Sequence, residues 1–316
     1  MPTFGSITGR LAPSPTGGLH VGHARTFLLA WVNARRSGGR VVLRIEDLDS
    51  SRTRKGMAEA AVEDLRWLGL DWDEGPDVGG PHGPYLQSQR HALYAAALAD
   101  LRAREFVYPC TCTRADIRRM ASAPHAEDEE ATYPGTCAHR RADQADDLER
   151  AGVAFGWRFR VPDEPIAWRD GVLGEVTRNP CKEGGDFLVG RSGGVFGYQL
   201  AVTVDDAAME VTEVIRGDDL AASTPRQLLL YEALDLRPPG FSHLALVRDQ
   251  CGRRLAKRDA SIKLSTLRAA GADPARLLSR LMGSKDGTAT PRALLDMEDV
   301  PWRLLAGERV VWSGSA

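Results

Sequence analysis

The segment Arg10-Leu11-Ala12-Pro13-Ser14-Pro15-Thr16-Gly17-Gly18-Leu19-His20-Val21-Gly22-His23 constrains this chain more than any other stretch. A short apolar run enters a Pro/Ser/Thr/Gly turn and leaves it through His-x-Gly-His onto an apolar-periodic stretch, Ala24 to Arg35, that reads as a helix. The order is strand, glycine-bearing turn, helix N-terminus. Glycine lets backbone approach a ligand closely, the unpaired N–H groups and dipole of a helix start favour anions, and two imidazoles one turn apart add donors on the same face. The implied ligand is a nucleotide phosphate. The spacing is neither GxxxxGK[ST] nor GxGxxG, which excludes a P-loop and the dinucleotide fingerprint.

Further strand-like runs end in polar clusters. Val41 to Asp49 is a buried-strand pattern closing on Glu46, Asp47 and Asp49, at the kind of strand end where parallel α/β sheets place ligand groups. Tyr198 to Asp206 and Val214 to Leu220 read as two more strands with polar ends, and Ser223-Thr224-Pro225-Arg226-Gln227 reads as a helix start. A basic run, Arg254-Leu255-Ala256-Lys257-Arg258, follows.

These elements, in this order, resemble the class I aminoacyl-tRNA synthetases. His20-Val21-Gly22-His23 is similar to their HIGH signature, and Ala12 to Gly17 resembles the glutamyl/glutaminyl subgroup. Arg44-Ile45-Glu46-Asp47 resembles that subgroup's RIED element, and residues 254–258 resemble the KMSKS-type loop. Here Ala256 stands where the family has serine, and Arg254 where it has its first lysine; Lys257 is retained. The resemblance implies an ATP-dependent glutamate ligase working with Mg²⁺. It implies His20, His23 and Lys257 as the catalytic groups on the phosphates, with Gly22 and Arg258 also at ATP. Arg10, Ser14, Glu46, Tyr198 and Arg216 are the implied glutamate-binding set: Arg216 for the side-chain carboxylate, Glu46 for the α-ammonium and Tyr198 as a hydrogen-bonding wall.

The 316 residues, 43% of them hydrophobic, suffice for a large core and more than one domain. A net charge of −2 excludes steering of nucleic acid by bulk charge, so any RNA contact must be a local patch, with Arg102, Arg104, Arg114, Arg118 and Arg119 as candidates. No charged segment followed by a long apolar core opens the sequence, and no long apolar run occurs, so the expectation is a cytoplasmic protein without membrane contact.

The cysteines are more specific than the charge. An odd count of 5 argues against a disulfide framework. Cys110-Thr111-Cys112 followed by Cys137 has the spacing of a zinc site with one ligand unassigned, for which His125, His139 and Tyr133 are candidates. By residue chemistry alone a histidine is favoured. The shortened glutamyl-Q tRNA(Asp) synthetases, which the chain resembles up to about Leu264, imply Tyr133 instead, through their Tyr-x3-Cys spacing. Cys181 and Cys251 have no partner at metal spacing.

The expected architecture is α/β: a Rossmann nucleotide-binding fold whose halves, 1–105 and 187–264, are split by a zinc-containing insertion, 106–186. A short helical tail, 265–316, follows, with no anticodon-binding domain. The resemblance then implies transfer of activated glutamate to the queuosine base at the wobble position of tRNA(Asp), by a monomer. Two other readings keep the same ATP and glutamate residues: activation for a carrier-protein or small-molecule acceptor, and a catalytically weakened RNA-binding paralogue, for which Ala256 and Arg254 are the support.

Overall fold

The computed structural model describes residues 6–120, 132–249, 263–283, 290–295 and 311–312. In chain order, β1 (Thr8–Leu11) leads through the turn into α1 (Val21–Arg36) and β2 (Arg40–Leu43), followed by α2 (Met57–Trp67) and α3 (His91–Ala103). Next come β3 (Val107–Cys110), α4 (Arg114–Met120), α5 (Ala145–Arg150), β4 (Gly156–Phe159), β5 (Ile166–Asp170), β6 (Gly174–Arg178), β7 (Phe187–Arg191) and β8 (Val195–Phe196). The remainder comprises α6 (Tyr198–Ala208), β9 (Glu213–Gly217), α7 (Thr224–Ala233) and β10 (Gly240–Leu244), then α8 (Leu264–Ala269), α9 (Pro274–Leu281) and α10 (Pro291–Leu295).

The strands form a 6-stranded sheet in the order β2-β1-β9-β10-β5-β6 and a 4-stranded sheet in the order β3-β4-β7-β8. Every pairing from β2 to β5 is parallel. Strands β1, β2, β9 and β10 are buried along nearly their whole length, as parallel strands are, and their buried positions include Arg10, Arg216 and His243 as well as apolar residues. Leu11 is in register with Leu43, and Leu244 with Gly217, so the carboxyl ends of four strands meet along one edge. This is the nucleotide-binding α/β architecture expected from the sequence. Helix α1 packs Leu28, Leu29, Trp31 and Ala34 into one core with Leu11, Val41, Leu43 and Leu65, to which α9 adds Leu277, Leu278 and Leu281.

Two differences from the sequence reading position the site. Tyr198 to Asp206 is a helix, not a strand. Its run from Leu200 to Asp206 is buried at every residue, so the amphipathic period that would reveal a helix is missing, and Val and Thr mimic a strand. The second difference is at the insertion. Its hairpin β5–β6 joins the main sheet through β10, while β7 and β8, beyond the expected boundary at 186, complete the small antiparallel sheet with β4. Gly171 permits the first junction: a Cβ there would lie 2.1 Å from Ser242 Oγ on β10. The two sheets are thus interleaved along the sequence.

Candidate active site and cysteine centre

The turn between β1 and α1 ends in a cap built from the two histidines. His20 is extended and is the N-cap of α1; its Nδ1 accepts from the Gly22 N–H at 3.1 Å, while His23 Nδ1 accepts from the His20 N–H at 3.2 Å. Both Nδ1 atoms being acceptors, each neutral ring carries its proton on Nε2. The rings stack with centroids 3.7 Å apart. A Cβ at Gly22 would sit 3.0 Å from the His20 ring, so this position is glycine for the cap as well as for any ligand. Ser14 is exposed, and its carbonyl closes the turn by accepting from Thr16 N–H at 2.8 Å. Lys263 bridges back to His20, and Leu264 N–H donates to Leu19 O at 2.9 Å, which places the chain just before α8 beside the His-x-Gly-His turn. Arg254, Ala256, Lys257 and Arg258 lie outside the described residues.

Behind the strand ends lies a buried charge network. Arg44, just past β2, is fully buried and lies 2.7 Å from Asp206, 3.2 Å from Glu46 and 3.7 Å from Asp205. Arg10 reaches Asp206 at 3.5 Å and donates to Ile215 O at 3.2 Å. Asp205 accepts from Arg90 at 2.6 Å, Gln87 at 2.8 Å and Tyr94 at 2.8 Å. Helix α6 therefore aims its two consecutive acids at arginines from different elements. Burial raises the Glu46 carboxyl above its ordinary range, against the pull of Arg44 and Arg10. Tyr198, at the first turn of α6, is 37% exposed; crowding around its hydroxyl, with Glu46 nearby, raises its pKa.

Arg216 has a different environment. It lies on β9, is 3% exposed, and donates from Nε to His243 Nε2 at 3.0 Å, from Nη1 to Gln227 Oε1 at 2.9 Å and from Nη2 to Thr224 Oγ1 at 2.9 Å. Among the described residues it forms no ion pair. Burial lowers its pKa. His243, its register partner on β10, presents Nδ1 to Asp170 Oδ2 at 2.5 Å, and both side chains are fully buried. Sequence reasoning missed Asp170 and His243. They are far apart in sequence and meet only because β5 joins β10, and neither sits in a recognisable motif.

The cysteine centre lies in the smaller sheet. The sulfurs of Cys110, Cys112 and Cys137 lie within 4.8 Å of one another, the one such group among the described residues. Cys112 and Cys137 are 3.7 Å apart. The Tyr133 hydroxyl is 3.4 Å from Cys110 Sγ and accepts the Cys137 N–H at 2.8 Å. Arg158 on β4 donates from Nε to Cys110 Sγ at 3.3 Å and covers the Tyr133 ring at 3.7 Å. His139 and Cys181 do not belong to the sulfur group, and His125 and Cys251 fall outside the described residues. Three converging thiols of this kind could hold a metal ion.

With this geometry in view, the similarities to known proteins are consistent across sequence and structure. The family profile of the tRNA synthetases class I (E and Q), catalytic domain, matches residues 6–300. A glutamyl-Q tRNA(Asp) synthetase of Symbiobacterium thermophilum is 54% identical over 276 residues, covering 87% of this chain and 85% of the relative. That of Nitratidesulfovibrio vulgaris is 50% identical over 275 residues, with the same coverage. A glutamate tRNA ligase from Elizabethkingia meningosepticum, solved with its amino acid, superposes with a TM-score of 0.84 at 26% identity over 98% of this chain and 68% of its own. The chain belongs to the class I glutamyl and glutaminyl tRNA synthetase family, and within it to the glutamyl-Q tRNA(Asp) synthetases.

Proposed function

We infer that this chain activates glutamate with ATP and transfers it to the queuosine base at the wobble position of tRNA(Asp). The observation that carries the glutamate assignment is Arg216, a buried guanidinium held by neutral acceptors and, among the described residues, paired with no carboxylate. Of its five N–H groups, the three hydrogen bonds leave one on each terminal nitrogen. A planar carboxylate is the ligand that matches such a fork, and glutamine would present an N–H₂ to one of its donors. The acceptor assignment rests on the high identity to relatives bearing that name.

In the first step a glutamate α-carboxylate oxygen attacks the α-phosphorus of ATP in line. The P–O bond to the β-phosphate breaks, and pyrophosphate leaves. No covalent enzyme intermediate is needed, so the protein's task is positioning and charge stabilisation. His20 and His23 direct Nε2–H donors at the phosphates from the start of α1, with Gly22 between them; Lys257 and Arg258 neutralise the triphosphate, to which Mg²⁺ would add further positive charge when bound. Glu46 accepts from the α-ammonium, and Arg10, Ser14 and Tyr198 complete the glutamate-binding set. In the second step a hydroxyl of the queuosine cyclopentene diol attacks the activated carbonyl, and AMP leaves.

Zinc suits the cysteine centre. Tetrahedral thiolate ligation at about 2.3 Å places sulfurs about 3.8 Å apart, close to the 3.7 Å between Cys112 and Cys137. Cys110, Cys112, Tyr133 and Cys137 would form the ligand set, Tyr133 being supported by its hydroxyl beside Cys110. Such an ion cross-links the turn after β3 and takes no part in adenylation.

The deciding experiment is incorporation of labelled glutamate into tRNA(Asp) with and without queuosine, alongside tRNA(Glu). Label confined to the queuosine-containing tRNA, and retained after removal of its 3′ adenosine, is the expected result. Glutamate-dependent pyrophosphate exchange without label in any tRNA means another acceptor. Loss of exchange as well means a catalytically weakened protein.

A further inference from the structure

We propose that Asp170 and His243 are positioning residues for glutamate recognition: Asp170 fixes the tautomer of His243 so that its Nε2 is an acceptor, and this orients Arg216 towards the substrate carboxylate. The proposal rests on the assignment of Arg216 to glutamate made above. Arginine has donors only, so the 3.0 Å contact from Arg216 Nε requires a lone pair on His243 Nε2. The proton of a neutral His243 is then on Nδ1, where Asp170 Oδ2 accepts it. The other Asp170 oxygen accepts the backbone N–H groups of Val172, Leu173 and His243 at 3.0, 3.0 and 3.1 Å, which locks the carboxylate in place.

The arrangement reaches across three adjacent parallel strands: Asp170 ends β5, His243 is on β10 and Arg216 on β9. It supplies the inner edge of the guanidinium with a neutral acceptor, and Thr224 and Gln227 from α7 take one donor from each terminal nitrogen. A carboxylate in the place of His243 would fix Arg216 equally well, but it would neutralise the charge that has to meet the substrate. A neutral imidazole backed by a remote acid orients the guanidinium without that cost, and separates the Asp170 charge from Arg216 by the width of a ring. The selective group is thereby left cationic in a buried site, where a ligand carboxylate is the missing partner.

Asp170→Asn tests this directly. The amide keeps an oxygen for the backbone N–H groups and turns an N–H₂ towards His243 Nδ1, which drives the ring to the Nε2–H tautomer and sets donor against donor at Arg216. The expected result in pyrophosphate exchange is a rise of about tenfold or more in KM for glutamate. The KM for ATP should be unchanged, the rate at saturation should hold within about threefold, and the preference for glutamate over glutamine should fall. Ring-nitrogen NMR should show His243 as Nδ1–H in the wild type and Nε2–H in the variant. Adding His243→Gln to D170N restores an oxygen acceptor for Arg216 and should recover most of the glutamate KM; a role of Asp170 confined to the turn at Val172 would not be rescued.

An unchanged glutamate KM in D170N with the tautomer switched overturns the proposal, as does a failure of D170N/H243Q to recover. Should D170N not fold, His243→Gln against His243→Met gives the same decision: the acceptor-bearing variant should bind glutamate about tenfold better, and equal KM values overturn the role. Arg216→Lys separates the two layers of the argument. A wild-type KM in R216K removes the assignment of Arg216 to glutamate altogether, whereas a raised KM there with none in D170N removes only the positioning role.

Discussion

Arg44 and Arg216 are both buried guanidiniums near the carboxyl ends of one sheet, and their surroundings are opposites. Burial alone would lower the pKa of Arg44, yet Asp206, Asp205 and Glu46 raise it well above its ordinary value. Arg216 faces histidine, glutamine and threonine, and burial lowers its pKa. Arg44 has its counter-ions within the chain; Arg216 forms no ion pair among the described residues, which is what suits it to the ligand role proposed above. Removing either residue should separate the two roles. Arg44→Met leaves Asp205, Asp206 and Glu46 short of positive charge in the interior and should cost about 3–5 kcal/mol of stability, measured by denaturant unfolding. Folded R44M at wild-type stability would erase the distinction.

Arg216→Met should do the reverse. The desolvation cost of the cation disappears while three acceptors lose a donor, so stability should remain within about 1 kcal/mol of wild type. Glutamate-dependent pyrophosphate exchange should fall by at least about a hundredfold, because the substrate carboxylate loses a bidentate, charge-assisted partner. A large loss of stability with little loss of exchange would place Arg216 with Arg44.

The acids show the same contrast. Asp205 accepts from Arg90, Gln87 and Tyr94, whereas Asp64, equally buried on α2, has among the described residues no aligned donor for either oxygen, its one cationic neighbour there being Arg268 of α8 at 3.4 Å. Burial raises Asp64 from 3.8 to about 6, against the pull of Arg268. Because the folded value exceeds the unfolded one, the folded state holds the proton more tightly. The associated stability is complete below pH 3.8 and is lost as pH rises through about 6. Asp64→Asn should therefore match the wild type below that window and exceed it by about 3 kcal/mol above it, measured as unfolding free energy against pH. A difference independent of pH would mean that the orphaned carboxylate is not the cause.

What the sequence conveys about these sites depends on how local the information is. The His20 to His23 cap is compact in sequence, formed around one turn, and the Cys-x-Cys pair with Cys137 beyond α4 has metal spacing, so both are legible from spacing. Glu46 stands out in the sequence as one of three acids closing a strand, but its pairing with the α-ammonium, like any role for Arg216, comes only through resemblance, since a strand-end arginine carries no signature. Asp205 and Asp206 are visible as a pair but not as helical residues, because α6 is buried on all sides and shows no polar stripe. Asp170 and His243 are not legible at all. Their contact is created by strand order, β10 beside β5, and no periodicity within Ile166–Asp170 or Gly240–Leu244 encodes which strand will lie alongside.

The cysteine centre offers the mildest comparison with Arg216, because the two belong to separate sheets and separate packing clusters. Cys110, Ile117, Tyr133 and Cys137 pack with Tyr108, whereas Val214, on the strand carrying Arg216, packs in a cluster with Phe241 of β10. Perturbations that share no partners add nearly independently. Cys112→Ser should lower bound zinc, measured by metal analysis, and speed amide hydrogen exchange between Cys110 and Cys137, since one ligand and its coordination bond are gone. Glutamate-dependent pyrophosphate exchange should stay within about threefold of wild type, given that no step of adenylation passes through the centre. Transfer to tRNA is the sensitive readout for any wider role. A loss in transfer with exchange intact makes this sheet a part of the RNA-binding surface, while a matching loss in both couples the two sheets more tightly than their separate cores imply.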